Sequence, residues 1–218
     1  MGNMKALLFE QYHSFKQNLE NLTFGEPIPK HIEEMGKEYE SMQDFKIDSW
    51  LNMPQPPNGS SDTLVELKHI SNIDKDDSFI KTTDDMHLHF ENGLKPFNIK
   101  YDKEKYKKIT KEVLPLIYKL KYHYNRPRPD QLAKELGVTL DGTFLKSAQT
   151  PSYPSGHSTQ GALIGLLLAD ENPEKKEELM KLGLEIGHGR LMAKVHYPSD
   201  HNFGVELAKC LFEYIKGN

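Results

Sequence analysis

The chain lacks most features that would place it in an oxidising compartment or a membrane. Cys210 is its only cysteine, which excludes an intrachain disulfide and favours a reducing compartment. Its longest apolar run, residues 161–169, is far shorter than the ~20 residues of a membrane-spanning helix. Residues 1–15 lack the sustained apolar core and small-residue cleavage site of a signal peptide. We therefore expect a cytoplasmic protein with no membrane partner, and a trimmed periplasmic form stays open as the alternative.

A basic excess is also absent. The formal net charge is -4, with 28 lysines and arginines against 32 aspartates and glutamates. Proteins that bind the phosphate backbone of nucleic acids normally carry a positive surplus. The charge balance therefore argues against a nucleic-acid partner.

Strand signals are missing as well, whereas helical periodicity is widespread. Apolar residues recur every three or four positions near residues 8–22, 32–42, 64–70, 106–120, 158–169, 179–186 and 203–214. A chain of 218 residues is long enough for one well-formed core and short for two full-sized domains. The pattern predicts an all-α, single-domain helical bundle over residues 1–218. We divide it into a helical N-terminal part, residues 1–100, and a helical core, residues 100–216.

Local signals add three expectations. Ser61 or Asp62 is predicted to cap a helix that reaches Ile70, and Ser199 to cap the last helix. The polar run over residues 74–85 is predicted to be solvated. The amphipathic helices near the N-terminus offer a candidate surface for a homodimer.

Three segments in the second half of the chain carry chemically informative residues. They read KYHYNRPRP over residues 121–129, SYPSGHS over 152–158 and GRLMAKVHYPSD over 189–200. A reacting phosphate ester spreads negative charge over its oxygens, so catalysis needs fixed cations, a nucleophile and a proton donor. Candidate phosphate-binding groups are present in all three segments: Lys121, Arg128, Ser155, Gly156 and Arg190.

His196 and Asp200 stand four residues apart at a predicted loop-to-helix boundary. The carboxylate can accept one ring N–H and leave the other ring nitrogen as an attacking lone pair. His157 then remains to protonate the leaving alkoxide and later to deprotonate water, so the two histidines would start with opposite protonation. These residues predict a metal-independent phosphomonoesterase with a phosphohistidine intermediate on His196.

A metal site is not expected. His87 and His89 are the nearest approach to a metal-binding pair, and no third ligand has a suitable spacing.

The three segments closely resemble the signature of the type 2 phosphatidic acid phosphatase superfamily. That signature reads Lys-x6-Arg-Pro, Pro-Ser-Gly-His and Ser-Arg-x5-His-x3-Asp. Residues 154–157 match its second part, and Arg190, His196 and Asp200 match its third, with Gly189 where the family has serine. The resemblance runs over residues 100–216 and is nearest to the soluble bacterial class A non-specific acid phosphatases.

The first part of the signature fits this chain twice. Lys119 can pair with Arg126-Pro127, or Lys121 with Arg128-Pro129. We prefer the second fit, because the soluble phosphatases resemble Lys-x-His-Tyr-x-Arg-x-Arg-Pro, in which the last arginine is the one used.

The resemblance implies a helical fold, a small phosphorylated substrate and no cofactor. It also implies that His196 is the nucleophile, that His157 is the general acid and base, and that the five candidate groups bind phosphate. Two other functions stay open. A vanadium-dependent haloperoxidase would hold vanadate in the same site with His196 as its ligand, and a non-catalytic module would only bind anions. Lipid phosphatases of this superfamily span membranes and are disfavoured.

Overall fold

The computed structural model describes residues 10, 11 and 14–217, and within them every regular element is helical, which confirms the all-α prediction. Residues 10, 11 and 14–20 are helical, and we label the segment 14–20 α1. Leu8 and Tyr12, which contribute to the predicted pattern, lie outside the described residues. The following helices are α2 (Pro29–Met35), α3 (Asp48–Leu51), α4 (Ser61–Ser71), α5 (Asp77–Asp84), α6 (Met86–Gly93), α7 (Lys103–Tyr124), α8 (Pro129–Glu135), α9 (Gly156–Glu171), α10 (Lys176–Met192) and α11 (Pro198–Gly217). Short 3-10 turns lie at Glu40–Met42, Lys95–Phe97, Lys146–Ala148 and Pro173–Lys175.

Helix α9 is the centre of the core and packs between α10 and α11. At its closest points, glycines bring the backbones of α9 and α10 together. A Cβ added at Gly183 would meet the Gly161 carbonyl oxygen at 2.6 Å, and one added at Gly165 would meet the Gly183 Cα at 3.1 Å. This close antiparallel packing brings the start of α9, which carries the Pro-Ser-Gly-His segment, next to the end of α10, which carries Arg190.

Helix α7 supplies the first motif from its last turn. Asp102 caps its start by accepting from the Lys105 N–H at 3.1 Å, and the helix continues through Pro115. It ends at Asn125, whose φ of 47° is left-handed. A Cβ at Gly156 would meet Ile117 Cγ2 at 3.3 Å and Lys121 Cε at 3.7 Å. Gly156 therefore lets α7 approach the start of α9 closely.

The polar run over residues 74–85 is not simply solvated, and here the prediction was wrong. It contains α5, which packs against α10 and buries Ile80 and Thr83. A Cβ at Gly189 would meet Thr83 Oγ1 at only 1.9 Å. Gly189, where the family has serine, therefore makes room for a helix from the N-terminal part.

Two predicted helix caps also need correction. Ser60, rather than Ser61 or Asp62, caps α4 by accepting from the Thr63 N–H at 3.2 Å. Ser199 lies inside the first turn of α11, which begins at Pro198. Its N–H and its hydroxyl both donate to the Glu66 carboxylate, at 2.6 and 2.9 Å. Glu66 of α4, rather than Ser199, therefore accepts from a backbone N–H at the start of α11.

Two tyrosines in the first half of the first segment attach the N-terminal part to the core. His31 Nδ1 lies 2.5 Å from the Tyr122 hydroxyl, and the Tyr124 hydroxyl contacts the carbonyl oxygens of Trp50 and Met53 at 2.5 and 2.8 Å. No helix among residues 10, 11 and 14–217 combines the length and apolarity of a membrane span. The homodimer and the single-domain organisation stay predictions.

Candidate active site

His196 is held on both ring nitrogens. Its Nδ1 lies 2.9 Å from Asp200 Oδ2, and Arg128 Nη1 lies 2.9 Å from its Nε2. A guanidinium has only donors, so Nε2 must present a lone pair and Nδ1 must carry the proton that Asp200 accepts. The imidazole is therefore in the tautomer with a nucleophilic Nε2.

The same surroundings keep His196 neutral. Burial lowers the pKa of His196 well below 6.5, and the charges of Arg128 and Lys121 lower it further. Burial raises the pKa of the Asp200 carboxyl, while Arg126 and the Tyr197 N–H oppose that rise. Asp200 Oδ1 accepts from Arg126 Nη1 at 2.7 Å, and Oδ2 accepts from the Tyr197 N–H at 3.0 Å. Three protein donors thus fix the orientation of this carboxylate.

Lys121 and Arg128 are buried cations held by backbone oxygens. Lys121 Nζ donates to the Pro151 carbonyl at 2.5 Å, and Arg128 donates to the carbonyls of Thr150 and Val195, both at 2.7 Å. Within the described part of the chain neither makes an ion pair with a carboxylate. Burial is the main cause that lowers their pKa values, to about 9 for Arg128 and well below 10.5 for Lys121. Such uncompensated positive groups favour an anionic ligand.

Arg190 offers a free edge of its guanidinium. It is 1% exposed, and its Nη1 donates to Asp84 Oδ1 and, at 3.0 Å, to the Ser147 hydroxyl. Its Nε and Nη2 are buried and have no partner among the described residues. Burial lowers the pKa of Arg190 to about 10, while Asp84 opposes that change. The Nε–Nη2 edge matches two oxygens of a phosphate group.

The Pro-Ser-Gly-His segment joins the other two segments at the start of α9. Ser155 is fully buried, caps α9 by accepting from the Ser158 N–H at 3.3 Å, and donates its own N–H to the Asp200 carbonyl at 3.0 Å. Ser152 donates its hydroxyl to the Pro127 carbonyl at 3.1 Å. Because the first N–H groups of a helix have no intrahelical partners, this terminus adds donors to the cationic cluster.

His157 lies in the first turn of α9, beside Asp84. Its Nε2 is 3.3 Å from the Asp84 carbonyl oxygen and 3.6 Å from Asp84 Oδ1. Burial and Arg190 lower the pKa of His157 well below 6.5, against the hydrogen bond to Asp84. Burial lowers the pKa values of both His157 and His196. The protein without a ligand therefore does not give the two histidines the opposite protonation that we expected.

The structure thus brings a neutral imidazole, its orienting carboxylate and three cations together with a second histidine. Residues 109–214 match the family model of the PAP2 superfamily. The match covers just under half of the chain and includes all three motif segments.

Three non-specific acid phosphatases are similar to parts of this chain. A non-specific acid phosphatase of Salmonella typhimurium is 42% identical over 86 residues, which are 38% of this chain and 33% of that protein. A non-specific acid phosphatase of Providencia stuartii is 38% identical over 55 residues, 25% of this chain and 22% of that protein. One of Salmonella typhi is 40% identical over 53 residues, 24% of this chain and 21% of that protein. The chain spans a third or less of these relatives' length.

The two possible fits of the first motif have different surroundings in the structure. Lys119 is exposed, and Arg126 is fully buried between Asp200 at 2.7 Å and Glu66 at 3.0 Å. Arg126 also lies over the Tyr197 ring, 3.9 Å from its centroid. Lys121 and Arg128 are the pair that lies with His196. Of the two arginines in the Arg-Pro-Arg-Pro turn, Arg126 therefore pairs with carboxylates, whereas Arg128 contacts His196.

Several residues around the candidate site were not assigned to it from the sequence. Each makes a polar contact with a side chain of the three segments: Glu66, Asp84, Arg126, Ser147 and Thr150. The only signal available was for Arg126, as the rejected fit of the first motif. Asp84 lies in the run that was interpreted as solvated, and Glu66 on α4 has no distinguishing spacing.

The pair of histidines on α6 contacts two different partners. His87 Nδ1 lies 2.7 Å from the Tyr101 hydroxyl, and His89 Nε2 lies 3.0 Å from Glu185 Oε2. Among residues 10, 11 and 14–217, no three His, Cys, Asp or Glu side chains are grouped as metal ligands.

Proposed function

We propose that this protein is a metal-independent phosphomonoesterase that hydrolyses small phosphate esters through a phosphohistidine on His196. The observation that carries the proposal is the fixed tautomer of His196. Asp200 binds its Nδ1 and Arg128 meets its Nε2, so the nitrogen with the lone pair faces the cationic cluster. The matched relatives named as non-specific acid phosphatases support the same reaction class.

In the first step the phosphate oxygens bind to Lys121, Arg128 and Arg190. The Nε2 lone pair of His196 attacks phosphorus, and the bond between phosphorus and the ester oxygen breaks. His157 gives its proton to the departing alkoxide. The cations stabilise the charge that spreads over the equatorial oxygens.

In the second step His157 takes a proton from water. The water oxygen attacks phosphorus, the bond to His196 Nε2 breaks, and phosphate leaves. Asp200 keeps Nδ1 protonated and stabilises the positive charge that the imidazole carries in the intermediate.

Substrate binding would supply the proton that His157 needs. Burial and Arg190 lower its pKa in the protein alone. A phosphate dianion next to the ring favours the imidazolium form and raises that pKa again. His157 would then take up a proton as the anion binds.

The proposal is tested by p-nitrophenyl phosphate hydrolysis at mildly acidic pH with EDTA present. We expect turnover by the parent protein, none by His196→Ala, and parental turnover by His69→Ala, which removes an exposed histidine of α4. Acid-labile, base-stable phosphate should be found on His196 by mass spectrometry after an alkaline quench. Because His196 must be neutral to attack and burial lowers its pKa, kcat/KM should fall with acidification only below pH 6.5.

Other results would replace the proposal. Turnover that EDTA abolishes would contradict metal independence, and full activity of His196→Ala would exclude the phosphohistidine. Vanadate resembles phosphate in shape and charge, and the same cations would hold it. Bromination that requires vanadate and peroxide, without ester hydrolysis, would indicate the haloperoxidase. Phosphate binding without any turnover would indicate an anion-binding module.

A further inference from the structure

A chain of three hydrogen-bonded side chains leads from α11 to the candidate phosphate site. His201 Nδ1 lies 2.9 Å from the Ser158 hydroxyl oxygen, and that hydroxyl lies 2.8 Å from the Ser155 hydroxyl oxygen. All three residues are buried, with Ser155 fully enclosed. His201 directly follows Asp200 but belongs to none of the motif positions.

Glycines on two helices make room for these three hydrogen-bonded side chains. A Cβ added at Gly187 of α10 would meet His201 Nδ1 at 2.1 Å and the Ser158 hydroxyl oxygen at 2.7 Å. A Cβ at Gly204 of α11 would meet the Ser155 carbonyl oxygen at 2.8 Å. The contact between His201 and Ser158 therefore depends on the absence of side chains on either side of it.

The direction of hydrogen-bond donation along His201, Ser158 and Ser155 decides whether the Ser155 hydroxyl can donate to a ligand. Each hydroxyl has one proton, so both hydroxyls must donate in the same direction. If His201 donates from Nδ1, Ser158 accepts that proton and donates to Ser155. The Ser155 oxygen then accepts from both the N–H and the hydroxyl of Ser158. Its own proton remains for another acceptor.

The opposite direction removes that proton from the site. If His201 Nδ1 accepts, Ser158 must donate to it and Ser155 must donate to Ser158. Ser155 then has no proton for a phosphate oxygen. The tautomer of a histidine behind the site thus determines whether Ser155 is a donor or an acceptor toward an anion.

We propose that His201 is a positioning residue that donates from Nδ1 to Ser158 and so directs the Ser155 hydroxyl proton toward the substrate's phosphate. The inference rests on the proposed function, in which Ser155 binds phosphate. Burial and the nearby His188 lower the pKa of His201 to about 4, so a neutral imidazole performs this task at mildly acidic pH.

Three variants test whether His201 donates toward Ser158 and Ser155. His201→Leu removes the donor, His201→Asn places an amide N–H near the position of Nδ1, and His188→Leu changes a ring 5.4 Å from His201 that has no hydrogen bond to Ser158. Calorimetry with inorganic phosphate measures binding without turnover, and thermal melting reports whether each variant folds.

We expect about tenfold weaker phosphate binding in His201→Leu, the size of one lost hydrogen bond to an anion. KM for p-nitrophenyl phosphate should rise in parallel, with a smaller change in kcat. His201→Asn should restore phosphate affinity to within about twofold, and His188→Leu should match the parent protein.

The decisive comparison repeats His201→Leu in a Ser155→Ala background. If His201 acts through Ser155, phosphate affinity should not fall further there. An equal fall in both backgrounds, or parental affinity in His201→Leu, would overturn the inference. A purely structural role would lower the melting temperature of His201→Leu and His201→Asn without the rescue by Asn. Because phosphate binding needs no hydrolysis, failure of the phosphatase proposal would be seen separately, as binding without turnover.

Discussion

The N-terminal part and the core contribute charges of opposite sign to the site. The cations Lys121, Arg126, Arg128 and Arg190 all belong to the core, whose Asp200 pairs with Arg126 and His196. The N-terminal part supplies Glu66 against Arg126 and Asp84 against Arg190. The motifs therefore contain the clustered cations, whereas Glu66 and Asp84, which pair with two of them, come from helices without any motif.

A substitution at Glu66 should break this balance most severely. Its carboxylate accepts from the Ser199 N–H, the Ser199 hydroxyl and Arg126 Nη2. In Glu66→Gln an amide NH2 would face these donors. We expect the free energy of unfolding to fall by roughly 1.5–3 kcal/mol and kcat to fall by about tenfold, because Arg126 would hold Asp200 less firmly.

Denaturant unfolding and p-nitrophenyl phosphate kinetics measure both effects. Glu177→Gln, on the exposed first turn of α10, is the matched control and should change neither. A parental kcat in Glu66→Gln would mean that Asp200 is oriented by the core alone.

Removing the charge of Asp84 should have a smaller effect than the change at Glu66, and it should strengthen phosphate binding. Its carboxylate is 28% exposed, bonds to Arg190 and lies beside His157. A phosphate group that binds to Arg190 must approach this negative charge. Asp84→Asn should therefore lower the phosphate inhibition constant by about threefold, which is the scale of a partly exposed charge interaction.

Competition of phosphate with p-nitrophenyl phosphate gives that constant directly. Asp77→Asn, on the exposed start of the same helix, should leave it unchanged. Weaker phosphate binding by Asp84→Asn would show that the carboxylate matters more for holding Arg190 than for repelling the anion.

A substitution at Tyr124 should lower the stability of the protein without changing its catalytic rate. Its hydroxyl contacts the carbonyl oxygens of Trp50 and Met53 but no residue of the site. Tyr124→Phe should reduce the free energy of unfolding by about 1 kcal/mol and leave kcat at the parental value. Parallel unfolding and kinetic measurements test this, and a kcat loss as large as that of Glu66→Gln would contradict it.

The sequence predicted the helical class and the residues that meet at His196, because both depend on regular spacing. Periodic apolar residues define α7, and fixed offsets place Asp200 four positions after His196 on the start of α11. Long-range charge pairs have no such spacing, so Glu66 was missed. Helix α5 was missed for a related reason: it buries only Ile80 and Thr83, too few residues for a periodic pattern in a polar run.

The structure explains why glycine stands at position 189, where the family pattern has serine. From the sequence it was a missing serine hydroxyl. In the structure Thr83 of α5 occupies the space of any side chain at that position. The explanation required the position of a helix that the sequence did not indicate.

The edge of Arg190 that has no partner among residues 10, 11 and 14–217 has a consequence for the stability of the protein. Nε and Nη2 are buried donors, so a ligand that satisfies them binds the folded chain and not the unfolded one. Such a ligand adds RT ln(1 + [L]/Kd) to the free energy of unfolding, about 2.7 kcal/mol at a hundred times Kd. The melting temperature should therefore depend on the buffer anion, and inorganic phosphate, the product of the proposed reaction, would help keep the protein folded.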